Sequence, residues 1–505
     1  MEALLSLLAA ATVASASPGD CSALEGASGD VVVAKANAIP AGVAFRPDDR
    51  TTFYKSVPVD VPFCRVEGRL EGTIGFELWL PMAWNGRLLG AGVGGDAGVF
   101  NYLDMSLRVA QGFATVTTDS GHKVTDAHWM RVPKARTDYE HRAVHLTTQA
   151  AKSLAARFYA RPVARSYFTG CSGGGRQALK EMQVHPLDYD GVIAGAPGPN
   201  MPLQSVRMMW FALEAQRKPA AALSDADWSL YESAVTRACD PLDGKVDGII
   251  TNPLQCRFRT AKLLCKPGQG EGCLTPPKLS MLNAVIAPLR DERGRAMDRG
   301  LFPAVRTRPG PPSPLLRAMW ADAAHDDPDW DALTFSRTGD LATINRVMPQ
   351  LRADSTAIAP FLAANRRAII YQGWQDPSTN AGPTLEYYGA LARDNGGLTK
   401  LREAVRLFMV PGMYHCRGGP GVDTFGASGH APVSEDPAND MLWALIRWVE
   451  QGVAPARIEA RKIAGESSFT RPICAFPSSA RLEQGAWTCR HDPALLAWPS
   501  ARLKR

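Results

Sequence analysis

Gly170-Cys171-Ser172-Gly173-Gly174-Gly175 is the stretch whose reading decides the fold. An apolar, β-branched and aromatic approach, residues 163–168, leads into it. Arg176-Gln177-Ala178-Leu179-Lys180-Glu181-Met182, all compatible with a helix, leads out. The pattern predicts a strand, a tight turn and a helix, which is the setting that G-x-S-x-G needs. In such an elbow the serine sits on a strained turn with its hydroxyl above the sheet, and the glycines let strand and helix pass close to it. The alternative is a Gly-rich loop with an ordinary surface serine.

Working outward, residues 56–118 are strand-rich. They include Gly72-Thr73-Ile74-Gly75-Phe76-Glu77-Leu78-Trp79-Leu80-Pro81, a strand from Arg87 that ends in a Gly-rich loop at Gly98, and a buried-strand pattern over 112–119. A helix is expected over 139–160. Gly90, Gly92 and Gly95 spell G-x-G-x-x-G, but Val99-Phe100-Asn101-Tyr102 reads as a poor helix start, which argues against dinucleotide binding. After the elbow, residues 189–197 predict another buried strand. Alternation resumes with strands at 368–373 and 405–410 and helices at 382–393 and 440–451. Between these halves, residues 198–365 are rich in Trp, Pro and Cys. They hold helical pieces at 225–238 and 277–289 without regular strand-helix alternation, so this segment reads as an insertion in an α/β fold.

Hydrophobic residues make up 45% and charged residues 21% of the 505, the balance of a globular protein. The net charge of +6 arises from 56 basic and 50 acidic residues spread along the chain, with one short basic cluster, Arg502-Leu503-Lys504-Arg505. That distribution predicts no nucleic-acid partner. Residues 4–16 form a short apolar run ending in Ala14-Ser15-Ala16, a signal-peptidase pattern, although Glu2 stands where a basic residue is expected. No later apolar run is long enough to span a bilayer, so the expectation is a secreted or periplasmic protein without a membrane segment. An even set of ten cysteines behind an export signal predicts disulfides, and no C-x-x-C pair is present. Local neighbours suggest Cys239 with Cys256, Cys265 with Cys273, and Cys474 with Cys489, while spacing alone leaves connectivity open.

A serine nucleophile needs an imidazole base oriented by a carboxylate, and in α/β-hydrolases these follow in the order Ser, Asp or Glu, His. The late histidines are His415, His430 and His491. His415 follows the strand-like run Met409-Val410, and Asp376, in Gly373-Trp374-Gln375-Asp376-Pro377, stands just beyond the preceding strand. Cys171 directly precedes Ser172 and Cys416 directly follows His415. A bridge between them would tie elbow to histidine loop; closing about 245 residues, it would disfavour the unfolded chain by roughly 5 kcal/mol in the chain-entropy account. A second motif is Cys239-Asp240-Pro241-Leu242-Asp243-Gly244-Lys245-Val246-Asp247-Gly248-Ile249. Its three carboxylates interleaved with glycines suit a hard cation, although the spacing is not that of an EF-hand; the alternative is a solvated Asp-Gly turn.

The paired arrangement of Cys-Ser, Asp and His-Cys resembles the tannase and feruloyl esterase family, which also includes hydrolases of the monoester of terephthalic acid and ethylene glycol. The resemblance extends to Trp84-Asn85-Gly86-Arg87, the Gly-rich loop, Tyr167-Phe168-Thr169, Asp190-Gly191-Val192-Ile193-Ala194-Gly195-Ala196-Pro197 and Gly412-Met413-Tyr414. It implies an α/β-hydrolase fold, with a catalytic domain from 17–197 and 366–505 and a lid domain of 198–365 inserted between the elbow and the Asp-His segment. It implies Ser172 as nucleophile, His415 as base and then acid, Asp376 as the orienting carboxylate, and an oxyanion hole from the N–H groups of Gly173 and Gly95, with Gly94 an alternative. At Gly173 some relatives carry a larger residue, so that side of the acyl pocket is expected to be open. The resemblance also implies a structural calcium ion in the lid, held by the side chains of Asp240, Asp243 and Asp247 and the carbonyls of Lys245 and Ile249, with no organic cofactor. It pairs Cys21 with Cys64 as well.

Trp320, Trp330 and Phe335 read first as core residues, with a place in the wall of the acyl pocket as the alternative. The expected protein is a secreted serine carboxylic ester hydrolase cleaving small esters of aromatic acids, of hydroxycinnamate, gallate or terephthalate-monoester type, through an acyl-enzyme. The rival readings are a serine peptidase on the same fold and a non-catalytic, calcium-stabilised binding protein.

Overall fold

A computed structural model of the chain describes residues 19–48, 54–307, 314–463 and 468–500. The apolar leader and the basic tail singled out above lie outside these residues. The strands of the central sheet are β1 (Gly26–Ser28), β2 (Val31–Ile39), β3 (Phe63–Leu70), β4 (Ile74–Pro81), β5 (Arg87–Ala91), β6 (Ala114–Thr118), β7 (Arg165–Cys171), β8 (Gly191–Gly195), β9 (Arg367–Gly373) and β10 (Val405–Val410). They form one ten-stranded sheet in the order β1-β2-β3-β4-β6-β5-β7-β8-β9-β10. The pairs from β1 to β4 and the β4–β6 pair are antiparallel, whereas β6, β5, β7, β8, β9 and β10 run parallel. The fold is that of an α/β-hydrolase.

Parallel strands covered on both faces need apolar residues at consecutive positions, because successive side chains point to opposite sides. Phe168, Val192, Ile370 and Leu407 enter the core on one face with Leu179, Met182 and Leu385 from helices. Their chain neighbours Tyr167, Ile193, Ile369 and Phe408 enter the core on the other with Leu445 and Trp448 of the helix Met441–Gln451.

One expectation is corrected here. A helix, Tyr102–Val109, does follow the Gly-rich loop; its N-cap is Asn101, whose side chain accepts from the Asp104 N–H. Asparagine is a good cap and a poor interior residue, so a segment that looked unfit to start a helix is a capped start. The strands β1 and β2 were also not anticipated.

Between β8 and β9 the described residues add no strand to the sheet. They form helices that include Met201–Arg217, Asp225–Cys239, Pro276–Ile286 and Arg337–Val347. Part of this segment has a core of its own around Trp228, Tyr231, Val235, Leu274 and Leu282. All ten cysteines are joined, as Cys21–Cys64, Cys171–Cys416, Cys239–Cys256, Cys265–Cys273 and Cys474–Cys489. No helix among the described residues is long and apolar enough to cross a membrane. The five disulfides fit an extracellular protein.

Candidate active site

Ser172 stands between β7 and the helix Gly173–Val184 at φ 62° and ψ −123°, a conformation that an L residue adopts only under constraint. The constraint is close backbone contact. A Cβ on Gly170 would lie 2.4 Å from the Gly174 carbonyl oxygen, and one on Gly175 would lie 2.1 Å from that of Gly195. The loop after β5 closes in from the other side: a Cβ on Gly92 would be 3.0 Å from Gly174 Cα, and one on Gly94 would be 3.4 Å from Ser172 Cβ. The glycines of the G-x-G-x-x-G match thus serve approach to the elbow. An added Cβ on Gly173 would sit 2.9 Å from the Gly95 carbonyl oxygen, so a side chain there would press on the loop, while the glycine itself borders the cavity.

Gly173 and Gly95 line the same cavity as Ser172. Gly173 is the first residue of its helix, where the N–H has no intrahelical acceptor. The Gly94 N–H is already donated to the Tyr54 hydroxyl, 2.6 Å away, whereas the Gly95 N–H has no acceptor among the described residues. Burial pushes the Tyr54 hydroxyl up to about 12, so it stays a neutral partner. Tyr139 donates to the Gly95 carbonyl at 2.8 Å. Arg176, buried on the elbow helix, donates to the carbonyls of Glu140 and Tyr139 at 2.7 and 2.8 Å and so fixes that segment. Tyr54 and Tyr139 carry no local sequence signal, because only the tertiary fold brings them to the loop.

Asp376 lies just past β9 and His415 just past β10. His415 Nδ1 is 2.8 Å from Asp376 Oδ2. Asp376 is fully buried, and its other oxygen accepts the N–H groups of Ser378 and Thr379, each at 2.8 Å. Thr379 was not anticipated: its hydroxyl donates to Asp376 Oδ2 at 2.7 Å and lies 3.2 Å from His415 Nδ1. Burial opposes the imidazolium, but the charge of Asp376 and its hydrogen bond outweigh it and raise His415 above its ordinary 6.5. The Cys171–Cys416 bridge, Cα to Cα 5.9 Å, joins the residue before Ser172 to the residue after His415. His430 is buried and bonded to the Cys416 carbonyl at 2.8 Å, and His491 ends a distant hairpin.

Ser172, His415, Gly95 and Gly173 line one cavity of about 120 Å³, walled by Met201, Met208, Leu315 and Leu316, with Gln204, Ser205 and Arg176 as polar groups. Of the two readings of the lid aromatics, core packing holds: Trp320 and Trp330 are buried in a core with Phe335 against them, ring centroids 5.1 and 6.4 Å from the Phe335 ring. A larger cavity, about 520 Å³, lies over β3 and β4 beside Tyr102 and Asp119, but none of Ser172, Asp376 and His415 reaches it.

In the acidic loop, Asp240 accepts the N–H groups of Asp247, Gly248 and Ile249 at 2.9–3.3 Å, which wraps the chain around its carboxylate. Arg471, 1% exposed, pairs with Asp243 and lies 3.3 Å from Asp247. The carbonyls of Lys245 and Ile249 accept no hydrogen bond from the described residues. These oxygens are the kind a hard cation takes, but the carboxylates are engaged by Arg471, the Thr251 hydroxyl and the loop's own N–H groups, and two carbonyls beside them are unclaimed.

A serine on a strained strand-to-helix turn, followed in the chain by a hydrogen-bonded Asp and His past the parallel strands β9 and β10, defines a hydrolase of the α/β class. The chain belongs to the tannase and feruloyl esterase family, matching it over residues 57–304 and 315–493. It is 31% identical to an uncharacterized esterase of Xanthomonas campestris over 95% of this chain and 91% of that one. It is 30% identical to a probable feruloyl esterase B-1 of Aspergillus terreus over 88% of this chain and 90% of that one. The crystal structure of feruloyl esterase B from Aspergillus oryzae superposes with a TM-score of 0.85 at 27% identity, covering 92% of this chain and 97% of the other. The protein is therefore a carboxylic ester hydrolase of the tannase and feruloyl esterase type, a class that acts on small esters.

Proposed function

We propose that the protein cleaves esters of aromatic acids through an acyl-enzyme on Ser172. The observation that carries this reading is the 2.8 Å bond from His415 to the buried Asp376, set in the cavity that Ser172 lines. Asp376 holds the imidazole with its Nδ1–H inward, so Nε2 is left to take the serine proton as Oγ attacks the ester carbonyl carbon. The N–H groups of Gly173 and Gly95 receive the resulting oxyanion; one such donor is worth about 3 kcal/mol of barrier. His415 then protonates the departing alcohol. In the second half, water loses a proton to His415 and attacks the acyl carbon, releasing the acid and restoring Ser172.

The apolar wall suits a planar acyl group, and similarity to feruloyl esterases favours a hydroxycinnamate, with gallate and terephthalate monoesters as the nearby classes. Met201, Met208, Leu315 and Leu316 all belong to the segment 198–365. This supports its assignment as a lid domain on a catalytic domain of 17–197 and 366–505. Within that lid, Asp240, Asp243 and Asp247 with the carbonyls of Lys245 and Ile249 would hold a structural calcium ion remote from the chemistry. Export through the leader, cleaved after residue 16, accompanies this reading.

Methyl ferulate, methyl gallate and mono-hydroxyethyl terephthalate, assayed side by side, test it. At least one should release its aromatic acid, and Ser172→Ala should lower kcat by on the order of 10⁶ while leaving the circular dichroism unchanged. Turnover retained by that variant contradicts the assignment.

A further inference from the structure

A second cluster of chemically able side chains sits at the opposite end of the helix that begins beside Ser172. His185 follows the last residue of that helix, Gly173–Val184. His141 lies on the π-helical turn Asp138–Arg142, and His145 follows one turn later in the helix Ala143–Tyr159. Such a π turn re-aims side chains and is frequent at functional sites. The three rings converge. His141 Nδ1 and His185 Nε2 are 3.1 Å apart, and the rings of His145 and His185 stack with centroids 4.0 Å apart.

A carboxylate completes the group. Asp188 Oδ2 is 2.6 Å from His145 Nδ1, and Asp188 is itself oriented by Gln149, whose Nε2 donates to Oδ1 at 2.6 Å. One ligand atom each from His145, His185 and Asp188 lie within 4.8 Å of one another. One turn before His185, Glu181 is buried against Asp188, and neither of its oxygens receives a hydrogen bond from a described residue. The neighbouring ammonium groups are engaged elsewhere: Lys152 donates to the Asp188 carbonyl, and Lys180 to Gln350 and the Arg352 carbonyl at 2.8 and 3.2 Å.

We propose that His141, His145, His185 and Asp188 form a binding site for a divalent transition metal of the zinc class. Ring nitrogens facing each other at 3.1 Å carry at most one proton between them, so at least one lone pair is aimed inward. Ligand atoms of a tetrahedral zinc site lie about 3.3 Å apart, given bonds of about 2.0–2.1 Å, so the His141–His185 pair already has the required separation. Imidazole nitrogens with one carboxylate select this class of ion over the calcium suited to the all-oxygen loop at Asp240. His141, His145 and His185 are half-buried, which leaves the ion a path from solvent. Closing the set turns His145 and His185 out of their parallel stack, because each lone pair must point at the ion. The bound metal would clamp the helix Ala143–Tyr159 to the far end of the nucleophile helix.

The test uses the full-length protein, purified without a polyhistidine tag, kept in excess calcium and titrated with zinc chloride. Calorimetry should give one zinc per chain, with a saturable rise in Tm. Cobalt in place of zinc should give the visible absorption of a four-coordinate nitrogen–oxygen site. His141→Gln should weaken zinc roughly tenfold, and His141→Gln with His185→Gln by roughly 100-fold or more, with far-ultraviolet circular dichroism unchanged in the absence of zinc. Absence of saturable binding, or wild-type affinity in the single variant and in any folded double variant, would overturn the proposal.

Discussion

The nucleophile elbow and the acidic loop are both Gly-rich, and each follows a bridged cysteine, Cys171 before Ser172 and Cys239 before Asp240. Their glycines serve different ends. At the elbow, Gly170, Gly174 and Gly175 are needed for space: an added Cβ would lie 2.4, 3.0 and 2.1 Å from backbone atoms of neighbouring segments. In the acidic loop the need is conformational. Gly244 and Gly248 have φ of 93° and 81°, and around Gly248 an added Cβ would meet nothing within 4 Å. One region is a junction where three stretches of backbone touch; the other is a turn that folds buried carboxylates and carbonyls together, with Gly248 on its open side. Lesions at the junction should therefore remove fold or chemistry, and lesions in the loop should tax stability alone.

The largest effect is expected from Gly175→Ala. Its methyl would overlap the Gly195 carbonyl, and β8 cannot move without disturbing β9, so the loss should exceed about 4 kcal/mol and show as insoluble or unfolded protein. Asp376→Asn should keep the fold while lowering kcat by about 10⁴, because the imidazole loses its orienting acceptor. In the wild type, the rate should fall as pH drops through an apparent value above 6.5, since His415 must be neutral to act as base and its partner raises the pH at which it gains a proton. Tyr139→Phe removes the bond to the Gly95 carbonyl, worth about 1 kcal/mol, and should lower kcat/KM by up to about tenfold. The smallest effect belongs to Gly248→Ala: about 1–2 kcal/mol of backbone strain in denaturant unfolding, with kcat unchanged. A Gly248 variant that lost turnover would erase the distinction between the two regions.

Much of the junction is legible in the chain itself. Apolar runs at 368–373 and 405–410 announce strands, and Asp376 and His415 follow them at the distance of a loop. Cys171 and Cys416 mark which elbow belongs with which histidine. What escaped is set by tertiary approach. Tyr54, Tyr139 and Thr379 touch the Gly-rich loop or the Asp-His pair from segments far off in sequence or across a turn, and no periodicity points to them. The cavity wall escaped for a related reason. Met201, Met208, Leu315 and Leu316 look like any core residues, whereas the conspicuous Trp320 is buried away from the cavity because a large apolar ring is packed where it excludes most water. The helix at Tyr102–Val109 was hidden because its capping asparagine reads as a breaker.

A fluorophosphonate offered to the native enzyme at neutral pH, followed by intact-mass and peptide analysis, tests the central claim most directly. One adduct per chain, on the peptide that carries Ser172 and absent from Ser172→Ala, is the predicted result. An unlabelled Ser172 in protein that still hydrolyses its ester, or an adduct on another serine, would contradict the account.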